Sequence, residues 1–294
     1  MATGPASRNY FSQRLKLHYV EWGDKEAPVL LMVHGMRDHC RNWDWVAEDL
    51  SKDYRIIAPD LRGHGDSDWL VGGTYSMMDC VADLRQLINQ TTHPKEKVAI
   101  MSHSFGGGVS LVYAGVFPEK VEKLMVIEGL GPPPAVLAEM TGTTIEGRIT
   151  NWVNSLQSIA GRAHRKYESL EAAIARMHAE NSHLTDQQAR HLSIHGLNQN
   201  EDGTYSWKFD NYLRVMTPVQ LTSTEIAELR ARITCPVLLL TGKNSWAVPL
   251  ENDERLKPFK NVETYTFEDA GHWCHHDQLA EYLTESRRFL GRKA

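Results

Sequence analysis

The strongest constraint on the fold is a series of short strand-like runs separated by stretches with helical spacing. The first run, at 15–23, alternates apolar and polar residues as a half-buried strand does. The others lie at 29–35, 54–60, 97–104, 123–129, 235–242 and 262–272. Continuous apolar runs such as 29–35 are typical of strands buried on both faces. Strands that alternate with helices need parallel crossovers, so the pattern predicts an α/β fold with a doubly wound sheet.

The pattern is interrupted in the middle of the chain. After the break GPPP at 131–134, residues 135–232 contain no buried-strand run and have a polar, helical pattern. A chain of 294 residues is long enough for a core with an inserted lid. We therefore expect a core in two parts, 1–134 and 233–294, with a helical cap at 135–232.

Composition excludes several functional classes. The net charge of −5 argues against a general nucleic-acid binder, which would have a large basic excess. No apolar run approaches the roughly 20 residues that cross a bilayer, so we expect no membrane insertion. The first residues contain no apolar core of a signal peptide. The four cysteines follow neither disulfide nor zinc spacing, which favours reduced thiols in a cytoplasmic protein.

A candidate nucleophile lies between a buried strand and a helix rich in small residues. Ser104 is the central serine of SHSFGG, and this strand–turn–helix context is the one a nucleophile elbow requires. The tight turn needs small neighbours two residues before and after the nucleophile, which are Ser102 and Gly106 here. Such a turn exposes the Ser104 hydroxyl at the carboxyl edge of the sheet, where open α/β sheets bind ligands. The following helix begins there, and its dipole favours negative charge.

Four motifs in order resemble those of the α/β-hydrolase superfamily. They are His34-Gly35, Gly63-His64-Gly65-Asp66-Ser67, Ser102-His103-Ser104-Phe105-Gly106-Gly107 and Ala270-Gly271-His272. The lid-bearing branch with carboxylesterases, carbon–carbon bond hydrolases and serine hydrolase-like proteins is the most similar. NSHLTDQQARHL and YSWKFD resemble lids of the serine hydrolase-like group. The resemblance implies eight strands, all but the second parallel, with a helical lid after the sixth.

The base and the oxyanion donors follow from these positions. His272 comes after the last strand, where the histidine of a triad enzyme reaches back to the nucleophile. A serine hydroxyl needs such a base near neutral pH. The backbone N–H of Phe105, directly after the nucleophile, is one expected oxyanion donor. The resemblance implies that Met36 supplies the other, while His34 and the 63–67 turn are expected to be structural.

The triad acid is missing from its usual position. The family places it three residues after the glycine that ends the seventh strand, where this chain has Ser245 after Gly242. Glu128 ends the sixth strand, which neighbours the seventh, and a charge at the end of a buried run usually has a partner. We therefore predict Glu128 as the acid. The alternative is that Glu128 is an ordinary loop carboxylate.

Other carboxylates and clusters are weaker candidates. Glu251 and Asp253 are expected to begin a helix, and Asp269 lies close to His272 along the chain. The histidines and Cys274 in 271–277 match no standard zinc spacing, so no metal is predicted. Further residues could either contact substrate or serve as packing and surface residues: Trp152, Trp207, Phe209, Arg37, Asp38 and Arg41.

The motifs favour acyl transfer to water without a cofactor. Ser104 would attack a carbonyl and His272 would accept its proton. A serine at the elbow disfavours dehalogenases and epoxide hydrolases, which resemble this fold but use aspartate. The expected partner is a small carboxylic ester. The alternatives are a carbon–carbon hydrolase acting on a diketone-like substrate, or a ligand-binding receptor with little turnover.

Overall fold

A mostly parallel sheet forms the centre of the molecule. The computed structural model describes residues 4–133, 135, 136, 139, 144–251 and 253–291. Its strands in chain order are β1 (Ala6–Ser12), β2 (Leu15–Trp22), β3 (Val29–Val33), β4 (Arg55–Pro59), β5 (Val98–His103), β6 (Val121–Ile127), β7 (Leu197–Gln199), β8 (Tyr205–Trp207), β9 (Val237–Gly242) and β10 (Val262–Phe267). Eight of them pair in the order β1-β2-β4-β3-β5-β6-β9-β10.

The strand directions confirm the fold class predicted from sequence. In this eight-stranded sheet, β2 pairs antiparallel with both β1 and β4, and the remaining pairs are parallel. The second strand alone therefore runs against the others. Strand β1 had no counterpart in the sequence prediction, because it lies at the sheet edge and most of its side chains are exposed.

Helices cover both faces of the sheet. They are α1 (Asp44–Leu50), α2 (Met77–Thr91), α3 (Ser104–Val116), α4 (Ile145–Ile159), α5 (Leu170–Glu180), α6 (Asp186–Gly196), α7 (Ser223–Arg232), α8 (Cys274–Asp277) and α9 (Leu279–Leu290). Leu31 of β3 packs in one apolar cluster with residues of α2 and α3. Its neighbours Leu30 and Met32 pack in a second cluster with residues of α1 and α9. Alternate side chains of one strand therefore enter two cores, which explains the continuous apolar runs.

The segment between β6 and β9 contains α4 to α7 and the antiparallel pair of β7 and β8. Several contacts join it to the sheet-bearing part. The Leu192 carbonyl oxygen lies 3.0 Å from His39 Nε2, and Gln188 Nε2 donates to the His276 carbonyl at 3.1 Å. Helix α7 differs from the others because its Leu229 packs against the first core cluster. The segment therefore contains both helices beside the sheet ends and one helix that continues the layer next to α3.

The four cysteines are buried and unpaired. Among the helices of the described residues, none combines the length and apolar character that a membrane crossing requires.

Candidate active site

The end of β5 turns sharply into α3 at Ser104. Ser104 has a φ of 51°, a left-handed conformation that is costly for a residue with a side chain. A β-carbon added to Gly106 would lie 2.3 Å from the His34 carbonyl oxygen, so only glycine fits where α3 meets the end of β3. Ser102 is buried, and its hydroxyl donates to the Met125 carbonyl at 3.1 Å. The serine in place of the usual glycine is thus accommodated with a hydrogen bond.

The adjacent strand β6 ends in a second residue with left-handed backbone. Glu128 has a φ of 48°, and its side chain is fully buried. Its Oε1 accepts from Thr241 Oγ1 at 3.1 Å and from the Gly242 N–H at 3.0 Å. Its Oε2 accepts from Ser245 Oγ at 2.7 Å. These donors come from the end of β9 and the loop after it, so the usual acid position now holds a residue that orients this carboxylate.

The loop after β10 brings His272 to the same carboxylate. His272 Nδ1 forms a short hydrogen bond with Glu128 Oε2. If Nδ1 carries the ring proton, Nε2 keeps its lone pair. A β-carbon on Gly242 would lie 2.2 Å from the Gly271 carbonyl oxygen, so only glycine at the end of β9 permits this close approach.

Aromatic rings enclose the imidazole. The centroid of the His272 ring lies 4.6 Å from that of His103, 4.8 Å from that of Trp246 and 5.0 Å from that of Trp273. His103 Nε2 also donates to the His272 carbonyl oxygen at 2.9 Å. The residue preceding Ser104 thus holds the backbone of the residue proposed as its base.

The electrostatics of the pair favour an ionised carboxylate. Burial alone would raise the pKa of Glu128. Hydrogen bonds from His272, Ser245 and the Gly242 N–H outweigh burial, so the pKa lies below its ordinary value. Burial also lowers the pKa of His103 well below its usual range, with a further contribution from the charge of His272, so His103 is a neutral hydrogen-bond partner.

The loop after β3 lies beside the turn at Ser104. His34 is buried, and its Nε2 accepts from the Leu61 N–H at 3.0 Å. Its Nδ1 lies 2.7 Å from the Gly35 carbonyl oxygen. Burial lowers the pKa of His34 to about 3, which suits a neutral structural residue. Met36 follows on this loop, and Phe105 follows Ser104 at the start of α3. Both expected oxyanion donors therefore belong to backbone segments that meet at the site.

A cavity of about 530 Å³ opens above these residues. Ser104, His272 and Met36 line it from the sheet side. Trp207 and Phe209, both candidates from sequence, line it from the segment between β6 and β9. Further residues complete its wall: Gly35, Arg37, Asp38, His39, Asn42, His103, Met177, Glu180, Asn181, Leu184, Leu192, Gly196, Lys208, Trp246 and Trp273. The cavity thus lies between the sheet ends and the inserted segment.

Several sequence candidates lie elsewhere in hydrogen-bonded structure. Arg41 Nε donates to Asp44 at 2.7 Å and 2.8 Å, and Arg41 is not among the residues lining the cavity. Asp253 accepts from the Arg255 N–H at 2.9 Å and precedes a short 3₁₀ helix. The Asp269 carbonyl accepts from Gln278 Nε2 at 3.1 Å. Trp152 is also absent from the cavity wall.

Two groups in the described part of the chain have metal-ligating side chains within reach of one another. One comprises His18, Cys40 and Asp60, which are buried. His18 Nδ1 lies 2.7 Å from Asp60 Oδ2, and the Cys40 N–H donates to Asp60 Oδ1 at 2.7 Å, so hydrogen bonds already satisfy this carboxylate.

The second group comprises Asp44, His191 and His195, half-buried beside Arg41. An Arg41 amino nitrogen lies 2.6 Å from Asp44 Oδ2, so a guanidinium already occupies the carboxylate. Both groups are consistent with hydrogen-bonded structural roles.

Sequence reasoning missed four residues around His272. From sequence, Ser245 marks only the position of the missing acid, although its hydroxyl contacts Glu128. Thr241 and Trp246 carried no signal because their roles depend on how β9 meets β6 and the loop after β10. His103 could have been suspected from its place in SHSFGG, but its contact with the His272 carbonyl spans 169 positions of the chain.

Several known proteins with similar sequences are named as hydrolases of different kinds. The chain is 28% identical over 275 residues to an sn-1-specific diacylglycerol lipase of Xenopus laevis, covering 91% of this chain and 81% of that protein. It is 25% identical over 224 residues to a serine hydrolase-like protein of Danio rerio, covering 76% of this chain and 67% of that protein. It is 24% identical over 274 residues to epoxide hydrolase 4 of Homo sapiens, covering 90% of this chain and 72% of that protein.

A solved structure of similar fold is the thioesterase domain from the curacin biosynthetic pathway, with a TM-score of 0.85 and 23% identity. The superposition covers 96% of this chain and 99% of that domain. The profile of the alpha/beta hydrolase fold matches residues 28–279 of this chain. The chain therefore belongs to the α/β-hydrolase fold family.

Proposed function

We propose that this protein is a serine hydrolase that cleaves a small carboxylic ester through an acyl-enzyme. The observation that carries the proposal is the joining of His272 Nδ1 to the buried carboxylate of Glu128, with Ser104 and His272 lining one cavity. A neutral His272 held in this tautomer is suited to accept a proton through Nε2. Ser104, His272 and Glu128 would then act as nucleophile, base and orienting acid.

In the first step, Ser104 Oγ attacks the carbonyl carbon while its proton moves to His272 Nε2. Glu128 stabilises the imidazolium that forms, because an ionised carboxylate already accepts from Nδ1. The imidazolium then protonates the leaving alcohol, and the C–O bond to that alcohol breaks. Water repeats the sequence on the acyl-enzyme, with His272 as base, and releases the acid.

The negative charge of the tetrahedral intermediate needs donors that are already in position. We propose the backbone N–H groups of Met36 and Phe105 for this role. The support is the close approach of the β3 end to the start of α3, measured at Gly106 and His34. Each such donor is worth roughly 3 kcal/mol in the transition state.

We also propose that residues 135–232 include the cap that shapes the substrate pocket. Met177, Leu184 and Trp207 line the cavity from this segment, which supports a position over Ser104. Since α7 packs beside α3, the covering part lies before residue 223. Caps of this kind exclude water and select substrates.

The test combines active-site labelling with turnover. A fluorophosphonate should label wild type and Ser102→Ala on Ser104, and should not label Ser104→Ala. Short-chain p-nitrophenyl esters should be turned over many times per protein molecule. Release that stops near one equivalent would indicate a receptor instead of an enzyme, and labelling at another serine would contradict the assignment of Ser104.

A further inference from the structure

The charged groups lining the cavity are unequally matched with partners. Arg37 and Lys208 are the cationic residues of the wall, and Asp38 and Glu180 are the acidic ones. An equal number of opposite charges would leave no preference for a charged substrate. The contacts of each side chain therefore decide which charge remains available to a ligand.

Two of the four charges already have ion-pair partners outside the cavity wall. Lys208 Nζ lies 2.7 Å from Asp66 Oδ1, and the Lys208 side chain is only 15% exposed. Glu180 forms a short ion pair with Arg176 one helical turn before it. These ion pairs weaken the electrostatic interaction that Lys208 and Glu180 can make with a charged substrate.

The negative charge of Asp38 is also weakened. Burial raises the pKa of Asp38 to about 7, although hydrogen bonds from the His39 N–H and the Asn42 side chain oppose the shift. Its Oδ1 accepts from that N–H at 2.8 Å, and its Oδ2 accepts from Asn42 Nδ2. Near neutral pH, Asp38 therefore carries less than a full negative charge.

Arg37 is the cation without a partner. Within the described parts of the chain, its guanidinium makes no hydrogen bond or ion pair with another side chain or the backbone. Its backbone is held in a left-handed conformation with φ 60°, and its N–H donates to His64 Nε2 at 2.9 Å. Because Arg37 directly follows Met36, its side chain begins one residue from a proposed oxyanion donor.

A second unpartnered guanidinium lies near it on the inserted segment. Arg214 ends the 3₁₀ helix Asn211–Arg214, and the same segment pairs with the His64 turn through Phe209. Burial and the positive charge of Arg214 lower the pKa of Arg37, and the charge of Glu180 offsets only part of this. For the described residues, no ion pair or hydrogen bond of the Arg214 side chain occurs either. Two cations near one another whose repulsion a carboxylate only partly offsets favour binding of an anion.

We propose that Arg37, assisted by Arg214, forms a subsite for a carboxylate carried by the substrate, so that the preferred substrates are anionic esters. This inference rests on the proposed hydrolysis at Ser104. A guanidinium presents paired N–H donors in a planar fork that matches a carboxylate, and such charge-assisted bonds are stronger than neutral ones. The subsite would orient the substrate while the reacting carbonyl lies at Ser104.

The experiment compares anionic esters with neutral esters of matched length. In the first arm, mono-p-nitrophenyl adipate is compared with p-nitrophenyl hexanoate, which tests a carboxylate on the acyl chain. In the second arm, 4-hexanoyloxybenzoate is compared with methyl 4-hexanoyloxybenzoate, which tests a carboxylate on the leaving group. The readout is the ratio of kcat/KM for the anionic ester to that for its neutral counterpart, after subtraction of the uncatalysed rate.

We expect the wild-type ratio to exceed one in at least one of these two arms. Arg37→Gln should lower that ratio by about 10- to 100-fold, and Arg214→Gln by a smaller factor. About 0.5 M KCl should reduce the wild-type ratio as well, because it screens partly exposed charges. Arg190→Gln is the matched control, since it removes a guanidinium from the exposed face of α6 and should keep the ratio.

Two results would overturn the subsite. One is a ratio that Arg37→Gln leaves unchanged, and the other is an equal loss in Arg190→Gln. Inhibition by adipate but not by inorganic phosphate supports a carboxylate site, while stronger inhibition by phosphate contradicts this choice of anion. If no ester shows Ser104-dependent turnover, the proposed function fails separately. Calorimetric titration of adipate into wild type and Arg37→Gln then decides the subsite, which requires binding that the variant loses.

Discussion

The neighbouring strands β5 and β6 end in the same unusual way but in different surroundings. Ser104 and Glu128 both have side chains on left-handed backbone, with φ values of 51° and 48°. Ser104 is half-buried and lines the cavity, whereas the Glu128 side chain is fully buried and accepts four hydrogen bonds. One strand end is therefore open to a ligand, and the other is closed by its own chain. The same backbone strain would serve the proposed nucleophile in one place and the proposed orienting acid in the other.

The largest expected effect comes from the open end. Ser104→Ala removes the proposed nucleophile, so kcat for p-nitrophenyl esters should fall by about 10⁴-fold or more. The thermal midpoint should stay close to that of wild type because the hydroxyl faces the cavity. A variant that keeps wild-type kcat would remove Ser104 from the mechanism.

The closed end should have the next largest effect. Glu128→Gln keeps the shape of the side chain but removes the charge that orients His272, so kcat should fall by about 10³- to 10⁴-fold. Adding Ser245→Asp should recover part of this loss, since Ser245 Oγ lies 2.7 Å from the carboxylate oxygen that contacts His272. Steady-state kinetics of the single and double variants measure both effects. A double variant slower than Glu128→Gln alone would mean that the β9 end cannot supply the acid.

A smaller effect is expected from the residue that contacts Glu128. Ser245→Ala removes one donor while Thr241 and Gly242 still hold the carboxylate, so kcat should fall only about 3- to 10-fold. Thr241→Val is the matched comparison, because Thr241 contacts the oxygen that does not face His272. We expect Thr241→Val to slow the reaction less than Ser245→Ala does, and the reverse order would contradict the assigned geometry.

Backbone strain provides a comparison of stability at the two ends. Ser104→Gly should have a free energy of unfolding about 0.5–1 kcal/mol higher than Ser104→Ala, because glycine accepts a left-handed φ without cost. Glu128→Gly should exceed Glu128→Ala by a similar amount. Chemical denaturation of the four variants measures both differences. If the glycine variant has the higher free energy of unfolding at one end alone, only that end is strained.

The smallest expected effect is a dependence on pH that only the closed end should show. Since the pKa of Glu128 is lower in the folded protein than in the unfolded chain, the unfolded state binds the proton first as the pH falls. The stability that the carboxylate contributes is complete above its ordinary pKa and is lost as the pH falls through the folded value. The difference in free energy of unfolding between wild type and Glu128→Gln should therefore narrow between about pH 6 and pH 3. Over the same pH range, the difference in free energy of unfolding between wild type and Ser104→Gly should stay constant.

How much the sequence predicts depends on whether the signal is local. The strands from β3 to β6 and β9 were predicted because both faces of each are buried, which leaves continuous apolar runs. The edge strand β1 and the short pair of β7 and β8 have mostly exposed or half-buried side chains, so no apolar run marks them. The topology followed from the motif order, and the family match agrees with it.

The site shows the same division. The elbow around Ser104 has a local motif, and Glu128 could be inferred because β6 and β9 were expected to be neighbours. The contacts of Ser245, Thr241 and His103 depend on side-chain positions across the sheet edge, which no local pattern encodes. The lack of a partner for Arg37 is visible only when the whole wall of the cavity is assembled.

The hydrogen bond from His103 to the His272 carbonyl has an evolutionary consequence. Each hydrogen bond described above that fixes Glu128 or His272 comes from outside residues 135–232. A lineage could therefore lengthen, shorten or exchange the inserted segment while inheriting the proposed catalytic residues intact. Selection for a new substrate would then act on the insertion and on loop residues such as Arg37, without first rebuilding the chemistry.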